Sequence, residues 1–185
     1  MKRNQQADLS SRSGVKLKER LGAAIFGHPV LRAAGQPKRF SRLMVSKTGP
    51  GGGYGLHVDN AFMGQGETRL RTDLSFTLFL SDPESYVGGE LVVELAGMQQ
   101  SFKPAAGDLV LYPSTSLHQV APVTEGERIV CIGWIESSVR DGAGRDILFD
   151  LENLRVSLAQ RLDAQSAEML TLAKAIANLQ RHLGD

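Results

Sequence analysis

The strongest constraint on the fold is the stretch from residue 73 to residue 135, where short segments of strand character alternate with turn residues. Residues 73–81 place Leu74, Phe76, Leu78 and Leu80 on one face of a predicted strand. Other strands are predicted over residues 39–46, 90–95, 99–103, 109–112 and 127–135. Many short strands at regular spacing favour a mainly β sandwich or barrel over alternating βαβ units.

Helical patterns flank this β-rich region on both sides. Apolar residues between positions 15 and 26 recur at helical spacing, and Gly27 and Pro29 are predicted to stop that helix. Leucine stripes predict two C-terminal helices, over residues 147–162 and 164–183, which would form a helical hairpin. The hairpin could pack on the β-rich region or join two copies of the chain in a homo-oligomer. Packing is the favoured interpretation, because leucine stripes are usually core.

The predicted organisation has three parts. Residues 1–40 form an N-terminal lead-in and helix, residues 41–140 form the β domain, and residues 144–185 form the helical hairpin. The glycine run over residues 49–55 is predicted to be a hairpin loop. It lacks the Gly-Lys-Ser/Thr ending of a phosphate-binding loop, and no helical pattern follows it.

Composition and charge narrow the possible functions. The 185-residue chain has a formal net charge of +1, which gives no bulk electrostatic reason to bind nucleic acid or an anionic membrane. No apolar run approaches the length that spans a bilayer, and residues 1–13 lack the apolar centre of a secretory signal. The single cysteine, Cys131, excludes an internal disulfide, so a reducing, cytoplasmic setting is expected.

Three side chains are candidate metal ligands. His57 and Asp59 are two positions apart, so on an extended segment they would point to the same side. Alone, this pair is weak evidence, and an ordinary polar strand end is then the favoured interpretation. His118 strengthens the case, since it and His57 are the two of the four histidines that fall in the predicted β domain, residues 41–140. Two histidines and one carboxylate are the ligand set of the non-haem Fe(II) facial triad.

A pocket for a cosubstrate is indicated by Arg128, ten positions after the second histidine. A surface ion pair with a neighbouring glutamate is the alternative. An arginine inside an apolar barrel needs an anionic partner, and the distal carboxylate of 2-oxoglutarate would be a suitable bidentate one. Trp134 shares the strand face of Arg128 and is predicted to form a wall of this pocket. Tyr54 and Thr77 could hydrogen-bond the cosubstrate, or they could be ordinary barrel residues.

Several uncommon strings occur in the order in which one known family carries them. They include Arg71-Thr72-Asp73-Leu74-Ser75, Gly88-Gly89-Glu90-Leu91, Pro104-Ala105-Ala106-Gly107-Asp108, Leu117-His118 and Gly126-Glu127-Arg128. In these strings the chain resembles the bacterial PKHD-type hydroxylases, in the prolyl 4-hydroxylase-like branch of the Fe(II)/2-oxoglutarate dioxygenases. The resemblance implies a double-stranded β-helix, or jelly-roll, core. It also implies Fe(II) on His57, Asp59 and His118, and 2-oxoglutarate on Arg128.

The same resemblance implies a hydroxylase that uses O2 and decarboxylates 2-oxoglutarate to succinate, with ascorbate as a further small-molecule ligand. Its substrate would be a peptidyl group of prolyl or lysyl type, or a small molecule. Family members usually carry a few dozen residues ahead of this start, so a shortened N-terminus is expected. The resemblance assigns no chemical role to Arg71 or Asp73, for which an ion pair is the preferred interpretation.

Two other classes of function stay open at this point. One is a cupin-like protein that binds metal as a sensor without turnover. The other is a metal-free jelly-roll binding module that assembles through its C-terminal helices. Arg128 separates the hydroxylase from the sensor, because a protein that only binds a metal does not need a clamp for a carboxylate.

Overall fold

The protein is described here by a computed structural model that covers residues 3–185. The helices are α1 (Arg12–Phe26), α2 (Pro29–Gly35), α3 (Gly142–Leu158) and α4 (Ala167–Leu183). The first strands are β1 (Gln5–Gln6), β2 (Pro37–Phe40), β3 (Met44–Thr48), β4 (Tyr54–His57), β5 (Phe62–Met63), β6 (Leu70–Arg71) and β7 (Leu74–Phe79). The remaining strands are β8 (Tyr86–Gly88), β9 (Leu91–Leu95), β10 (Met98–Phe102), β11 (Leu109–Pro113), β12 (His118–Val120), β13 (Val123–Gly126) and β14 (Arg128–Ser137).

The chain divides into two compact units. The β unit consists of the described residues up to 25 together with residues 39–136, and the helical unit consists of residues 26–38 and 137–185. The predicted division at residues 40 and 140–144 was drawn from sequence patterns alone and stays a prediction.

Two antiparallel sheets form the body of the β unit. The larger sheet has the strand order β1-β3-β14-β7-β11, and the smaller has the order β10-β9-β12-β4. A buried cluster from both sheets lies between them and contains Phe79, Leu91, Val93, Tyr112 and Val130. The result is the predicted jelly roll, in which each strand turns one face towards the shared interior.

The strand β7 is buried on both faces, which the sequence pattern did not predict. Each residue from Leu74 to Phe79 is buried. Ser75 and Thr77 line an interior cavity, as does Phe76, while Leu74, Leu78 and Phe79 are buried elsewhere in the unit. Polar residues on this strand therefore mark a cavity wall and not a solvent-facing side.

The glycine run does not form the predicted hairpin loop. It follows β3 and leads into β4, and these two strands belong to different sheets. The run therefore carries the chain from the larger sheet to the smaller one. Gly51 has a φ of +73°, a conformation that glycine adopts without strain.

In the helical unit, α3 and α4 form the predicted C-terminal hairpin around a buried cluster of Val139, Leu148 and Ile176. The predicted helix limits were displaced by several residues. Asp141 caps α3 through a bond of 2.6 Å from the Gly144 amide, so this helix begins at residue 142 and not at 147. The helix α1 ends at Phe26, as the predicted stop at Gly27 and Pro29 requires, but the sequence did not predict α2, which has Pro29 in its first turn, where proline is favourable.

Two further features concern the single cysteine and the test for membrane-spanning helices. Cys131 lies fully buried in β14, and burial raises the pKa of its thiol to about 11, so the thiol is unreactive at neutral pH. Within residues 3–185, no helix combines the length and the apolar character needed to cross a membrane.

Candidate active site

His57 and His118 are brought together by strand register. His57 ends β4, His118 begins β12, and the two residues are direct partners in the antiparallel pairing of these strands. Their ring centroids are 4.2 Å apart. The sequence indicated both residues but not their pairing, because register depends on the arrangement of the whole sheet.

Asp59 lies two residues beyond the end of β4, outside any strand. Its Oδ2 accepts hydrogen bonds from Ser75 Oγ at 2.5 Å and from Trp134 Nε1 at 2.8 Å. The same oxygen is 3.7 Å from His118 Nε2. Two donors on the larger sheet therefore orient the carboxylate towards the two histidines.

Both imidazole rings are held in the tautomer that suits a metal ligand. His57 Nδ1 lies 2.8 Å from the carbonyl oxygen of Gly55, and His118 Nδ1 lies 3.0 Å from that of Ser116. A carbonyl oxygen only accepts hydrogen bonds, so each Nδ1 carries the proton and each Nε2 is left with its lone pair. The candidate ligand atoms of His57, Asp59 and His118 all lie within 4.8 Å of one another.

This donor set fits Fe(II). Two neutral imidazole nitrogens and one carboxylate oxygen are the protein ligands of the facial-triad iron sites. Hydrogen bonds from ligand Nδ1 atoms to backbone carbonyls are the outer contacts that orient such ligands. The three side chains line a cavity of about 330 Å³ in the β unit.

Arg128 lines the same cavity, at the start of β14. It is 3% exposed, and its Nε has no hydrogen-bond partner among residues 3–185. Burial lowers the pKa of its guanidinium, since the charged form is desolvated. A buried cation with an unused donor is unfavourable unless an anion joins it, so the cavity fits the carboxylate of a dicarboxylic acid.

The other predicted pocket residues lie in the cavity, each with further contacts. Trp134 and Thr77 are buried on the larger sheet, and Trp134 donates its indole hydrogen to Asp59. Tyr54 is half-buried and stacks on His57, with ring centroids 3.7 Å apart. The structure therefore places all three at the cavity, and their contact with a cosubstrate stays a prediction.

Tyr112, like Ser75, is a cavity residue that the sequence reasoning missed. It is 6% exposed and is the register partner of Ser75, which is in turn the partner of Trp134. Burial and the Asp59 charge raise the pKa of its hydroxyl, while hydrogen bonding with Thr77, the Arg128 charge and hydrogen bonding with Ser75 oppose that shift. The sequence showed the polar face of β7. It did not show that Tyr112 on β11 lies next to that face, because this depends on the pairing register.

The family to which these features point is identified by comparison with known proteins. The sequence pattern of the 2OG-Fe(II) oxygenase superfamily matches residues 43–136, a range that includes all three candidate ligands and Arg128. Superfamily members use Fe(II), 2-oxoglutarate and O2, in agreement with the donor set and the buried arginine.

Relatives narrow the family further. A PKHD-type hydroxylase of Hyphomonas neptunium is 55% identical over 185 residues, which is 100% of this chain and 83% of the relative. A PKHD-type hydroxylase of Synechococcus elongatus is 47% identical over 181 residues, which is 98% of this chain and 81% of that relative. The chain therefore belongs to the PKHD-type hydroxylases of the 2OG-Fe(II) oxygenase superfamily.

Solved structures agree with this assignment. A prolyl-4-hydroxylase of Pseudomonas putida is 25% identical with a TM-score of 0.52, and the match covers 72% of this chain and 71% of that one. A prolyl hydroxylase of Trichoplax adhaerens, in complex with a hypoxia inducible factor oxygen degradation domain peptide fragment, is 16% identical with a TM-score of 0.57. That match covers 74% of this chain and 64% of the other, and it is a likeness of fold.

Proposed function

We propose that this enzyme hydroxylates a peptidyl substrate of prolyl or lysyl type, or a small molecule, at an iron held by His57, Asp59 and His118. In this proposal Arg128 binds the distal carboxylate of 2-oxoglutarate. When bound, Fe(II) and 2-oxoglutarate supply the oxidation, in which O2 gives one oxygen atom to the substrate and one to succinate while CO2 is released.

The observation that carries the proposal is the unpartnered Nε of Arg128, buried in the same cavity as the three convergent ligand atoms. A protein that only sensed a metal would gain nothing from a buried cation beside it. A dicarboxylate that reaches from the metal to Arg128 satisfies both ends of the cavity. This favours the hydroxylase over the sensor and over the metal-free binding module.

The remaining side chains have supporting tasks in this proposal. Ser75 and Trp134 hold the Asp59 carboxylate in place through Oδ2. Tyr112 keeps its proton over the whole neutral range, because its pKa is raised, so it can donate a hydrogen bond to an anionic cosubstrate. Tyr54 and Thr77 are the further candidates for that contact.

The substrate is expected to enter beside the amide side chains of Asn4, Gln6 and Asn60, which also line the cavity. Amide groups can donate to and accept from a peptide backbone, which suits a peptidyl substrate. This chain is similar in fold to the prolyl-4-hydroxylase of Pseudomonas putida and 25% identical to it. Peptides that contain proline are therefore the first substrates to test.

The test of this proposal is an anaerobic titration with Fe(II) and 2-oxoglutarate. A weak visible charge-transfer band is expected when both are present, and succinate should form after O2 is admitted. His118→Ala should remove the band. An absence of both the band and succinate with the wild-type chain would show that the proposed chemistry is wrong.

The substrate is found by a second experiment. Peptide and metabolite pools are incubated with the enzyme, Fe(II) and 2-oxoglutarate, and products are screened by mass for the gain of one oxygen atom. Release of succinate above the substrate-free rate identifies the active pool. Parallel reactions with and without ascorbate test its predicted involvement.

A further inference from the structure

The segment that carries Asp59 has no regular structure of its own. Residues 58–60 follow the end of β4 and belong to no strand or helix. On its N-terminal side the segment is fixed by His57, which pairs with His118. A second attachment is needed after Asp59, because its backbone would otherwise be free to move the carboxylate away from the histidines.

Thr72 provides that attachment. Its Oγ1 donates to the carbonyl oxygen of Asn60 at 2.6 Å, and its backbone N–H donates to that of Ala61 at 3.1 Å. Thr72 is 6% exposed. The carbonyl groups of the two residues that follow Asp59 are therefore both held by one buried residue.

Thr72 is itself anchored to the larger sheet through its neighbours. The Arg71 N–H donates to Glu136 Oε2 at 3.1 Å, and the Asp73 N–H donates to the carbonyl oxygen of Ile135 at 3.0 Å. Arg71 Nε also bonds Asp73 Oδ1 at 2.7 Å, which is the ion pair expected from the sequence. These contacts fix Thr72 to the end of β14, the strand that also carries Trp134.

We propose that Thr72 is a positioning residue for the metal site. Its hydroxyl fixes the backbone behind Asp59 with reference to β14, while Trp134 fixes the carboxylate with reference to the same strand. Asp59 is thus held at both its main chain and its side chain, in the place where it converges with the histidines. This inference rests on the proposed iron site.

The test compares three variants in anaerobic Fe(II) titrations of the full chain. Thr72→Val removes the hydroxyl and keeps the shape, and it should weaken Fe(II) binding by up to about tenfold, because Thr72 bonds the backbone next to Asp59, and loss of a direct outer contact to a ligand costs about 10- to 100-fold. Thr72→Ser keeps the hydroxyl and should retain wild-type affinity. Thr68→Val is the matched control. Thr68 lies between β5 and β6, and its hydroxyl bonds Gln65 and not residues 59–61.

The melting temperature of each metal-free variant separates positioning from general stability. Weaker Fe(II) binding by Thr72→Val with affinity restored in Thr72→Ser supports the proposal. Wild-type Fe(II) affinity in Thr72→Val, whatever its melting temperature, overturns it. If Thr72→Val does not fold, Thr72→Ser decides, because loss of Fe(II) affinity there would show that the hydroxyl is not the group that matters. A wild-type chain that binds no Fe(II) would instead refute the proposed function.

Discussion

Replacing Arg128 with methionine should separate two effects on stability. One is the destabilisation of the ligand-free fold by a buried cation, and the other is the stabilisation that 2-oxoglutarate provides when it binds that cation. Methionine is shorter, but it has a broadly similar volume and no charge. Arg128 is 3% exposed and its Nε lacks a partner among the described residues. Exchanging a buried ion pair for apolar residues of similar volume is often neutral or stabilising by about 1–4 kcal/mol, and a buried cation without an anion has still less attraction to lose. The metal-free, ligand-free Arg128→Met variant should therefore melt at a higher temperature than the wild type.

The effect of 2-oxoglutarate should run in the opposite direction. At a ligand concentration 100 times Kd, one binding site stabilises the folded state by about 2.7 kcal/mol. For a chain of this size, about 1 kcal/mol moves the melting temperature by roughly 2–4 °C, so the wild type should gain about 5–11 °C. Arg128→Met should gain nothing, because the carboxylate has lost its counter-charge.

The assay is thermal unfolding under anaerobic conditions, without additions, with Fe(II) alone, and with Fe(II) and 2-oxoglutarate, so that the shift due to 2-oxoglutarate is the difference between the last two. Arg155→Met is the matched control, since Arg155 is an exposed arginine on α3 that pairs with Glu152. It should keep the full ligand-induced shift. An Arg128→Met variant that still gains the wild-type shift, or that melts lower in the absence of ligand, would refute the reasoning.

Three other changes test separate parts of the site and its frame. His118→Ala should abolish Fe(II) binding in an equilibrium titration while His28→Ala leaves it intact, and retained affinity in the first would disprove the ligand assignment. Trp134→Phe should weaken Fe(II) binding roughly tenfold, because it removes the 2.8 Å bond to Asp59, and an unchanged titration curve would contradict that role. Burial raises the pKa of Glu136, but hydrogen bonds from Arg39 and from the backbone of Arg71, with both arginine charges, outweigh it and lower the pKa overall. The carboxylate therefore stabilises the fold at neutral pH and loses this effect as the pH falls below about 4.3. The urea midpoints of the wild type and Glu136→Gln should accordingly converge in acid. A difference between the midpoints that stays constant with pH would contradict this role of Glu136.

The types of residue at the site were predictable from the sequence, and their arrangement was not. The chain has four histidines, so His57 and His118 could be selected by elimination, while Arg128 was selected from its place ten residues after His118 and from resemblance to a family. The cavity neighbours of these residues depend on which strands pair and in which register. Tyr112 was missed for that reason, although it ends a strand whose apolar pattern was recognised.

The errors in the fold have a similar origin. The short helix α2 was not predicted, because the sequence pattern identified Pro29 only as a stop for α1, and proline also begins helices. Gly142 and Gly144 lowered the helical signal at the start of α3, so the capping Asp141 was overlooked. The glycine run was assigned to a hairpin because local composition indicates a turn but does not indicate which sheet receives the next strand.

The pairing of β4 with β12 has a consequence for the metal-free enzyme. The strand β4 is at the edge of the smaller sheet, and its pairing with β12 is interrupted by a register shift between His118 and Val120. An ion bound by both His57 and His118 would hold this edge strand against its neighbour. Loss of iron is therefore expected to be coupled to local opening of the β4–β12 pairing. Amide hydrogens of residues 54–57 should exchange more slowly with Fe(II) bound, and equal exchange rates in the two forms would rule this linkage out.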